Sequence, residues 1–352
     1  LMVYIFLGVT TGFIVMISEL AIGRKTGKGA VEAYRMVSKK FKWMGWMGIA
    51  SAFFILFFYC ALGGYCIKYV VVNVGDLFGA SFGSAAFAEV AAANGTSLGA
   101  EVFNAFMGNP TEAIIYGLIF VALTMLIVMG GVSGGIEKVC SVGMPALFVM
   151  LLICIIRACT LPDAVNGLKY MFVPGWAVAN GIIEEAPNFL TVLSTAGGQM
   201  FFSLSLGMGI MITYGSYVKP EVDLNKSVSQ IEFFDTGVAL LAGVMIIPAV
   251  FVFSGTDGMG VGPSLMFVSL PKVFDAMGPA GTVVGVLFFI SAIFATLTSC
   301  ISVLESIVAN CMEIFHTDRK KTTLVLALIY LAASAVIALG AVSYTHLRAH
   351  ET

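Results

Sequence analysis

The stretch at residues 198–213 reads GQMFFSLSLGMGIMIT and does not fit a regular helix. Ser203, Ser205, Gly207 and Gly209 alternate at every second position, whereas residues on one helix face recur every three or four. Two serines and two glycines so close together weaken a helix. We therefore predict a broken helix, whose freed carbonyls and half-helix ends can bind a cation or an anionic group. Close packing of these small residues against a neighbouring helix is the alternative.

The composition of the whole chain places that stretch in a membrane. Of the 352 residues, 59% are hydrophobic and 11% are charged, whereas a soluble domain carries about a quarter charged residues. Charges this sparse cannot cover a water-facing surface, so we predict an all-α integral membrane protein. The net charge of −2 excludes the basic surface that nucleic-acid binding requires. The seven cysteines form no CxxC pair, which argues against a metal knuckle or a disulfide framework.

Apolar runs set the number and direction of the membrane spans. A bilayer core of about 30 Å needs about 20 apolar residues per helix. Runs of that length predict eight spans, near residues 2–22, 44–73, 112–130, 142–161, 190–217, 233–254, 281–313 and 322–343. The loops after the first, third, fifth and seventh spans hold thirteen of the eighteen lysines and arginines. Because positive residues favour the cytoplasmic side, the first span is predicted to run inward.

Three acidic residues stand out within the predicted spans, where a charge costs about 2.5–3.5 kcal/mol on insertion scales. Glu19 fits a helix-end ion pair with Arg24 or Lys25 as well as it fits a functional role. Asp235 has no basic neighbour in sequence, and its position leaves open whether it is a cation ligand. Glu305 ends a polar stripe along one helix face, which indicates either a wet pathway or ordinary helix packing. The other members of that stripe are Ser291, Thr298, Ser299 and Ser302.

Several segments resemble the neurotransmitter:sodium symporter family, which has the leucine-transporter fold. They occur in family order along nearly the whole chain, to about residue 343. The matching segments are Glu19–Arg24, Thr26–Gly29, Tyr59–Tyr65, Gly134–Lys138, Gly198–Tyr217, Asp235–Pro248 and Phe294–Ser299. The segments at 198–217 and 294–299 are the most specific to the family.

The resemblance implies an inverted repeat of five plus five helices, of which this chain supplies family helices two to nine. Residues 1–343 then form a single transmembrane transporter domain, truncated at both ends. Its first repeat part covers residues 1–161 and its second covers 190–343. Because the chain opens on Leu1 and the tail at 344–352 has no periodicity, we expect an internal fragment with a non-native tail.

Matched residue by residue, the family pattern implies two sodium sites. Ser203 and Asp235 resemble the first site, where many relatives have threonine and asparagine. The second site is implied at Ala295, Thr298 and Ser299, which offer two hydroxyls and a carbonyl. Hard oxygen donors of this kind suit a small hard cation.

Chloride is a point on which this chain departs from part of the family. Chloride-dependent members have serine where Ala239 stands. The fixed charge of Asp235 is expected to make chloride unnecessary.

The resemblance also implies a substrate site. Its residues are Tyr59, Ile55, Phe202, Ser203, Ser205, Met208, Ser299 and Val303. Tyr59 would steady the substrate carboxylate, and Phe202 would form an aromatic lid. The apolar side chains favour an apolar or aromatic amino acid, and methionine is adaptable enough to accept several. Gln199 resembles the outer-gate glutamine, Glu305 belongs to the inner pathway, and Glu19 is a third candidate for gating.

The function implied is sodium-coupled symport of a small amino acid by alternating access across the bacterial inner membrane. Na⁺ is the co-transported ion, the lipid bilayer is the environment, and the family pattern also allows a homodimer. One rival is a proton-coupled permease of the same architecture, with Asp235 or Glu305 carrying the proton. Another is a receptor that binds the amino acid without moving it. A serine hydrolase at Gly131–Gly134 would need a histidine base, and no predicted span contains a histidine.

Overall fold

A computed structural model describes residues 1–255 and 265–349, with side chains for all of these except Ser254 and residues 338–349. Regular secondary structure in the described residues is helical throughout. The α-helices are α1 (Met2–Leu7), α2 (Phe13–Thr26), α3 (Ala30–Val37), α4 (Lys42–Phe78), α5 (Ala88–Asn94), α6 (Leu98–Gly108), α7 (Pro110–Met129), α8 (Glu137–Cys159), α9 (Ala164–Phe172), α10 (Trp176–Ala179), α11 (Phe189–Ser203), α12 (Ile210–Gly215), α13 (Leu224–Ser254), α14 (Leu270–Ala276), α15 (Pro279–Phe315) and α16 (Arg319–Ala349). Segments of π-helix lie at Gly8–Gly12, Val132–Ile136 and Leu265–Ser269, and 3₁₀ turns at Lys39–Phe41 and Ser84–Phe87.

Seven segments of the described chain are long and apolar enough to cross a membrane. They are Met2–Thr26, Lys39–Phe78, Pro110–Met129, Val132–Cys159, Leu224–Phe253, Pro279–Phe315 and Arg319–Ile337. These segments match seven of the eight predicted spans. The remaining prediction, at 190–217, corresponds to two shorter helices, α11 and α12. The all-α membrane fold is therefore confirmed, with one span broken in the way that the alternating serines and glycines predicted.

Local sequence explains where several of these helices begin and end. Asn109 accepts a hydrogen bond from the backbone N–H of Glu112 at 3.2 Å and precedes Pro110, so α7 starts with both a cap and a proline. Asp223 accepts a hydrogen bond from the N–H of Asn225 at 2.9 Å at the start of α13. Gly27 ends α2 in the left-handed conformation at φ +60°, which glycine adopts without strain.

The chain divides into two compact units. The first comprises residues 1–56, 183–240 and 299–326, and the second comprises residues 57–182, 241–298 and 327–352. This division cuts across both predicted repeat parts. The single domain at 1–343, its repeat parts and the non-native tail therefore stay predictions.

In the first unit, α2 and α12 pack backbone against backbone. A Cβ placed on Gly23 would lie 2.0 Å from the carbonyl oxygen of Ile212, and one on Gly215 would lie 2.5 Å from that of Leu20. Only glycine permits so close an approach, which is how membrane helices commonly associate. Buried side chains complete this core, among them Met16, Leu20, Met200, Leu204, Leu206 and Val228. The second half of the broken helix is thereby fixed against α2.

The second unit is centred on aromatic side chains. Tyr69 is buried between the rings of Phe267 and Phe289, and its hydroxyl donates to the Phe267 carbonyl at 2.6 Å. Gly63 lies against the ring of Phe120, where a Cβ would approach to 2.4 Å. The polar group of the tyrosine is thus satisfied inside an apolar core, as a buried hydroxyl requires.

Candidate functional site: a broken helix in the first unit

The break between α11 and α12 runs over six residues, from Leu204 to Gly209. Within it, Ser205, Gly207 and Gly209 have φ values of +55°, +75° and +71°. Every second residue is therefore left-handed, which gives the alternation in the sequence a physical cause. Glycine adopts this conformation freely, whereas a serine held there costs about 1 kcal/mol or more. Strain of this kind is concentrated at functional sites.

Glu19 of α2 holds the middle of the break. Its Oε1 accepts a hydrogen bond from the backbone N–H of Gly207 at 2.9 Å, and the residue is 5% exposed. Its Oε2 is buried with no hydrogen-bond partner among the residues described. Arg24, the ion-pair partner considered from sequence, instead donates to the carbonyl of Val222 at 2.7 Å. Glu19 therefore binds the non-helical backbone of the break, through the N–H of Gly207.

Ser203 and Asp235, both predicted at the first sodium site, lie together in the structure. The Ser203 hydroxyl donates to Asp235 Oδ2 at 2.8 Å, and both side chains are partly buried. Ser203 is the last residue of α11, and Asp235 lies three turns into α13. A carboxylate and a hydroxyl beside non-helical backbone form a set of hard oxygen donors, which alkali and alkaline-earth cations prefer over nitrogen or sulfur.

The residues predicted at the second sodium site share one face of α15. Ala295, Thr298 and Ser299 follow the helical spacing i, i+3, i+4. The Thr298 hydroxyl donates to the carbonyls of Phe294 and Ala295, at 3.0 and 3.1 Å. Ala295 and Thr298 belong to the second unit and Ser299 to the first. This ligand set stays a prediction.

Most of the predicted substrate residues belong to the first unit. They are Ile55, Phe202, Ser203, Ser205, Met208, Ser299 and Val303, whereas Tyr59 belongs to the second unit. Phe202 is exposed, while Met208 and Val303 are buried. Gln199, predicted at the outer gate, is exposed near the end of α11.

Glu305 has partners that the sequence reasoning missed. The carboxylate is fully buried, and both its oxygens accept hydrogen bonds from the Arg319 guanidinium, at 2.5 and 2.8 Å. The Tyr217 hydroxyl donates to Oε1 at 2.7 Å. By sequence, Arg319 is one of the positive residues of the loop after the seventh predicted span. Its position fourteen residues away, across the turn between α15 and α16, gave no local sign of the pairing.

A second group of polar side chains, which the sequence reasoning missed, connects the start of α3 to α12. Asn310 is 1% exposed and accepts a hydrogen bond from the N–H of Val31 at 3.0 Å. It also donates to the Thr213 hydroxyl at 3.3 Å, while Ser306 donates to the Gly209 carbonyl at 3.2 Å. Stepping along α15 from Ser302 by four residues reaches Ser306 and then Asn310. That four-residue spacing is the sequence signal for Ser306 and Asn310, which lie beyond the Glu305 end of the predicted stripe.

Comparisons with known proteins identify the family of the chain. The sodium:neurotransmitter symporter family profile matches residues 103–347. An uncharacterised sodium-dependent transporter of Bacillus subtilis is 32% identical over 351 residues, covering 98% of this chain and 72% of the relative. A sodium-dependent transporter of Haemophilus influenzae is 31% identical over 342 residues, covering 94% of this chain and 68% of the relative. The crystal structure of MhsT in complex with L-phenylalanine superposes with a TM-score of 0.80 at 34% identity, covering 97% of this chain and 72% of MhsT.

Proposed function

The chain belongs to the sodium:neurotransmitter symporter family, and on that basis we propose that it carries an apolar or aromatic amino acid into the cell together with Na⁺. Like its relatives, it is a multi-pass membrane transporter and not an enzyme. Sodium-coupled amino acid symport is the activity that the family and the MhsT structure support in general. The proposal adds the class of substrate and the residues that act.

The observation that carries the proposal is the contact between Ser203 and Asp235 at the end of the broken helix. A carboxylate at membrane depth is costly unless it has a partner, and the 2.8 Å hydrogen bond from one serine does not neutralise its charge. A bound Na⁺ would do so. Because the charge of Asp235 is fixed in the protein and Ala239 has no hydroxyl, we also propose that chloride is not required.

The apolar residues predicted around the break support the substrate class. Phe202, Met208 and Val303 provide an aromatic ring, a flexible thioether and a branched side chain. These suit a substrate side chain without charge, and methionine can adapt to several shapes. The related MhsT structure contains L-phenylalanine, which is a property of MhsT but is consistent with such a pocket.

Alternating access would then move the substrate between two gates. Glu19 would hold the break of the helix in shape, and Gln199 would act on the outer side. The buried Tyr217–Glu305–Arg319 group would close the inner pathway. One Na⁺ crossing 100 mV supplies about 2.3 kcal/mol, and a tenfold gradient supplies about 1.4 kcal/mol more. Together these sustain accumulation of roughly several hundredfold. We place the protein in the bacterial inner membrane, and a homodimer stays a prediction.

The experiment is uptake into liposomes containing the protein. Labelled amino acids, from apolar to charged, are supplied under an inward Na⁺ gradient, with K⁺ replacing Na⁺ in the control. We expect uptake of phenylalanine-like substrates only with Na⁺, unchanged when chloride is replaced by gluconate. Asp235→Asn, which keeps two polar atoms but no charge, should weaken the Na⁺ dependence by about tenfold or more. Equal uptake in K⁺ that follows a pH gradient would instead establish a proton-coupled permease. Binding without uptake would establish a receptor.

A further inference from the structure

A groove in the first unit is lined by none of the residues assigned so far. It runs along α13 beside the π-helical segment Gly8–Gly12 and has a volume of about 520 Å³. The residues that matter in its lining are Val9, Phe13, Glu232, Phe233, Gly237 and Leu240. Small-molecule sites typically measure about 300–1,000 Å³. Single-turn π-helical segments inside α-helices are frequent at functional sites.

Glu232 is the one acidic residue in the groove lining, and its charge has no visible counterpart there. The residue is 7% exposed, and its Oε1 is buried with no hydrogen-bond partner within the described part of the chain. That oxygen lies near Gly8, and a Cβ added to Gly8 would be 3.7 Å from it. None of the residues lining the groove is basic. A buried carboxylate in this position requires a cation from outside the unit or a proton.

The surroundings of Glu232 favour an organic cation over a bare metal ion. The lining is mainly apolar, and Phe13 and Phe233 provide aromatic rings that attract ammonium groups by cation–π interaction. A metal ion would need several oxygen ligands, whereas the lining offers one carboxylate and the hydroxyls of Ser229 and Thr236. The Ser229 hydroxyl already donates to the carbonyl of Asn225 at 2.9 Å. An ammonium group attached to an apolar chain would pair with the carboxylate and also fill the remaining space.

We propose that this groove binds an amphiphilic primary amine, with its ammonium on Glu232 and its hydrocarbon chain along Phe13, Phe233 and Leu240. The site lies three residues from Asp235 on the same helix. It is therefore placed to act on the helix that carries the proposed sodium ligand. The proposal itself does not depend on transport, because it concerns binding alone.

Gly237 provides a way to close the groove without removing the charge. It lines the groove, and a Cβ added to it would meet nothing within 4 Å. Gly237→Leu therefore extends a side chain into the groove from a position with room for its Cβ, and leucine is also a better helix former than glycine. Glu232→Gln removes the charge at nearly constant shape. Glu221→Gln, on an exposed residue outside the groove, is the matched control.

The test is photolabelling of the protein in phosphatidylcholine vesicles. The probe is dodecylamine with a diazirine in its chain, and the neutral comparison is the same chain ending in an alcohol. We expect the amine to label residues 9–13 and 229–240, found by peptide mass spectrometry. Glu232→Gln and Gly237→Leu should each lower that labelling by about tenfold, and Glu221→Gln should leave it unchanged. A retained cooperative melting transition of each variant shows that it is folded.

Equal labelling by amine and alcohol, unaffected by Glu232→Gln, would overturn the proposal. It would mean that the groove takes up hydrocarbon without recognising charge and that Glu232 holds a proton. Loss of amine labelling when phosphatidylethanolamine is added at membrane concentrations would support the proposal and identify that lipid, itself an amphiphilic primary amine, as the occupant in a membrane.

Discussion

Glu19 and Glu305 are both buried glutamates of the first unit, but their surroundings differ. Glu305 is bound by the two nitrogens of Arg319 and by the Tyr217 hydroxyl, so its charge is fully compensated. Glu19 receives one backbone N–H from Gly207, and its Oε2 has no partner among the described residues. The contacts of Glu305 join α15 to α16. At Glu19, one carboxylate oxygen remains available to bind a ligand beside the broken helix, where a transporter is expected to bind its substrate.

The largest effect should follow from breaking the compensated site. Arg319→Ala would leave the Glu305 carboxylate, which is 0% exposed, without its counter-charge. Removing one partner of a buried ion pair typically costs about 3–5 kcal/mol. We expect a corresponding fall in the free energy of unfolding, measured by denaturation in detergent.

The double variant Arg319→Met with Glu305→Met provides the control. Because no charge is then stranded, it should recover most of the lost stability. Arg35→Ala, which removes an exposed partner of Glu32, should change stability by less than about 1 kcal/mol. If Arg319→Ala is as mild as Arg35→Ala, the pair at Glu305 is not a structural bond and the contrast with Glu19 disappears.

One substitution applied at both glutamates should sharpen the comparison. Glu305→Gln exchanges a charged acceptor for a neutral one opposite Arg319, and should cost about 2 kcal/mol. Glu19→Gln keeps an oxygen for the Gly207 N–H and replaces an uncompensated buried carboxylate, so its cost should lie within about 0.5 kcal/mol of zero. The measurement is again the free energy of unfolding. Equal losses at the two positions would show that Glu19 has a partner as strong as Arg319.

The sequence could predict the membrane spans and the break, because both depend on short-range patterns. Seven apolar runs became continuous helices, and the alternation from Ser205 to Gly209 became alternating positive φ angles. The Ser203–Asp235 contact was also foreseen, although through the family resemblance and not through spacing. Local sequence patterns therefore predict where a site lies more reliably than they predict which distant residues contact it.

Partners brought together by long-range packing could not be predicted. Arg319 was interpreted as a loop charge because nothing near it in sequence specifies Glu305. The close approach of Gly23 to Ile212 depends on how α2 and α12 meet, and glycines within apolar runs are too common to indicate it. The hydrogen bonds of Asn310 to Val31 and Thr213 likewise join residues that lie far apart in sequence.

The smallest predicted effect concerns a third carboxylate, in the second unit, whose neighbour repels it. Asp275 and Asp76 line one small cavity, so the Asp275 carboxyl is desolvated although the residue as a whole is exposed. Burial and, to a smaller extent, the charge of Asp76 together raise the pKa of Asp275 to about 6. The folded state then favours the protonated acid, so stability is lost as the pH rises from about 4 through 6 and is regained on acidification.

Because solvent screens this exposed group, we expect the free energy of unfolding to change by less than about 1 kcal/mol over this pH range. Unfolding of wild type and Asp275→Asn measured from pH 7 to 4.5 checks this, since only wild type should gain that increment. A wild-type gain no larger than that of the variant would mean that Asp275 titrates as an ordinary surface acid, and that unfavourable carboxylates belong to the first unit alone.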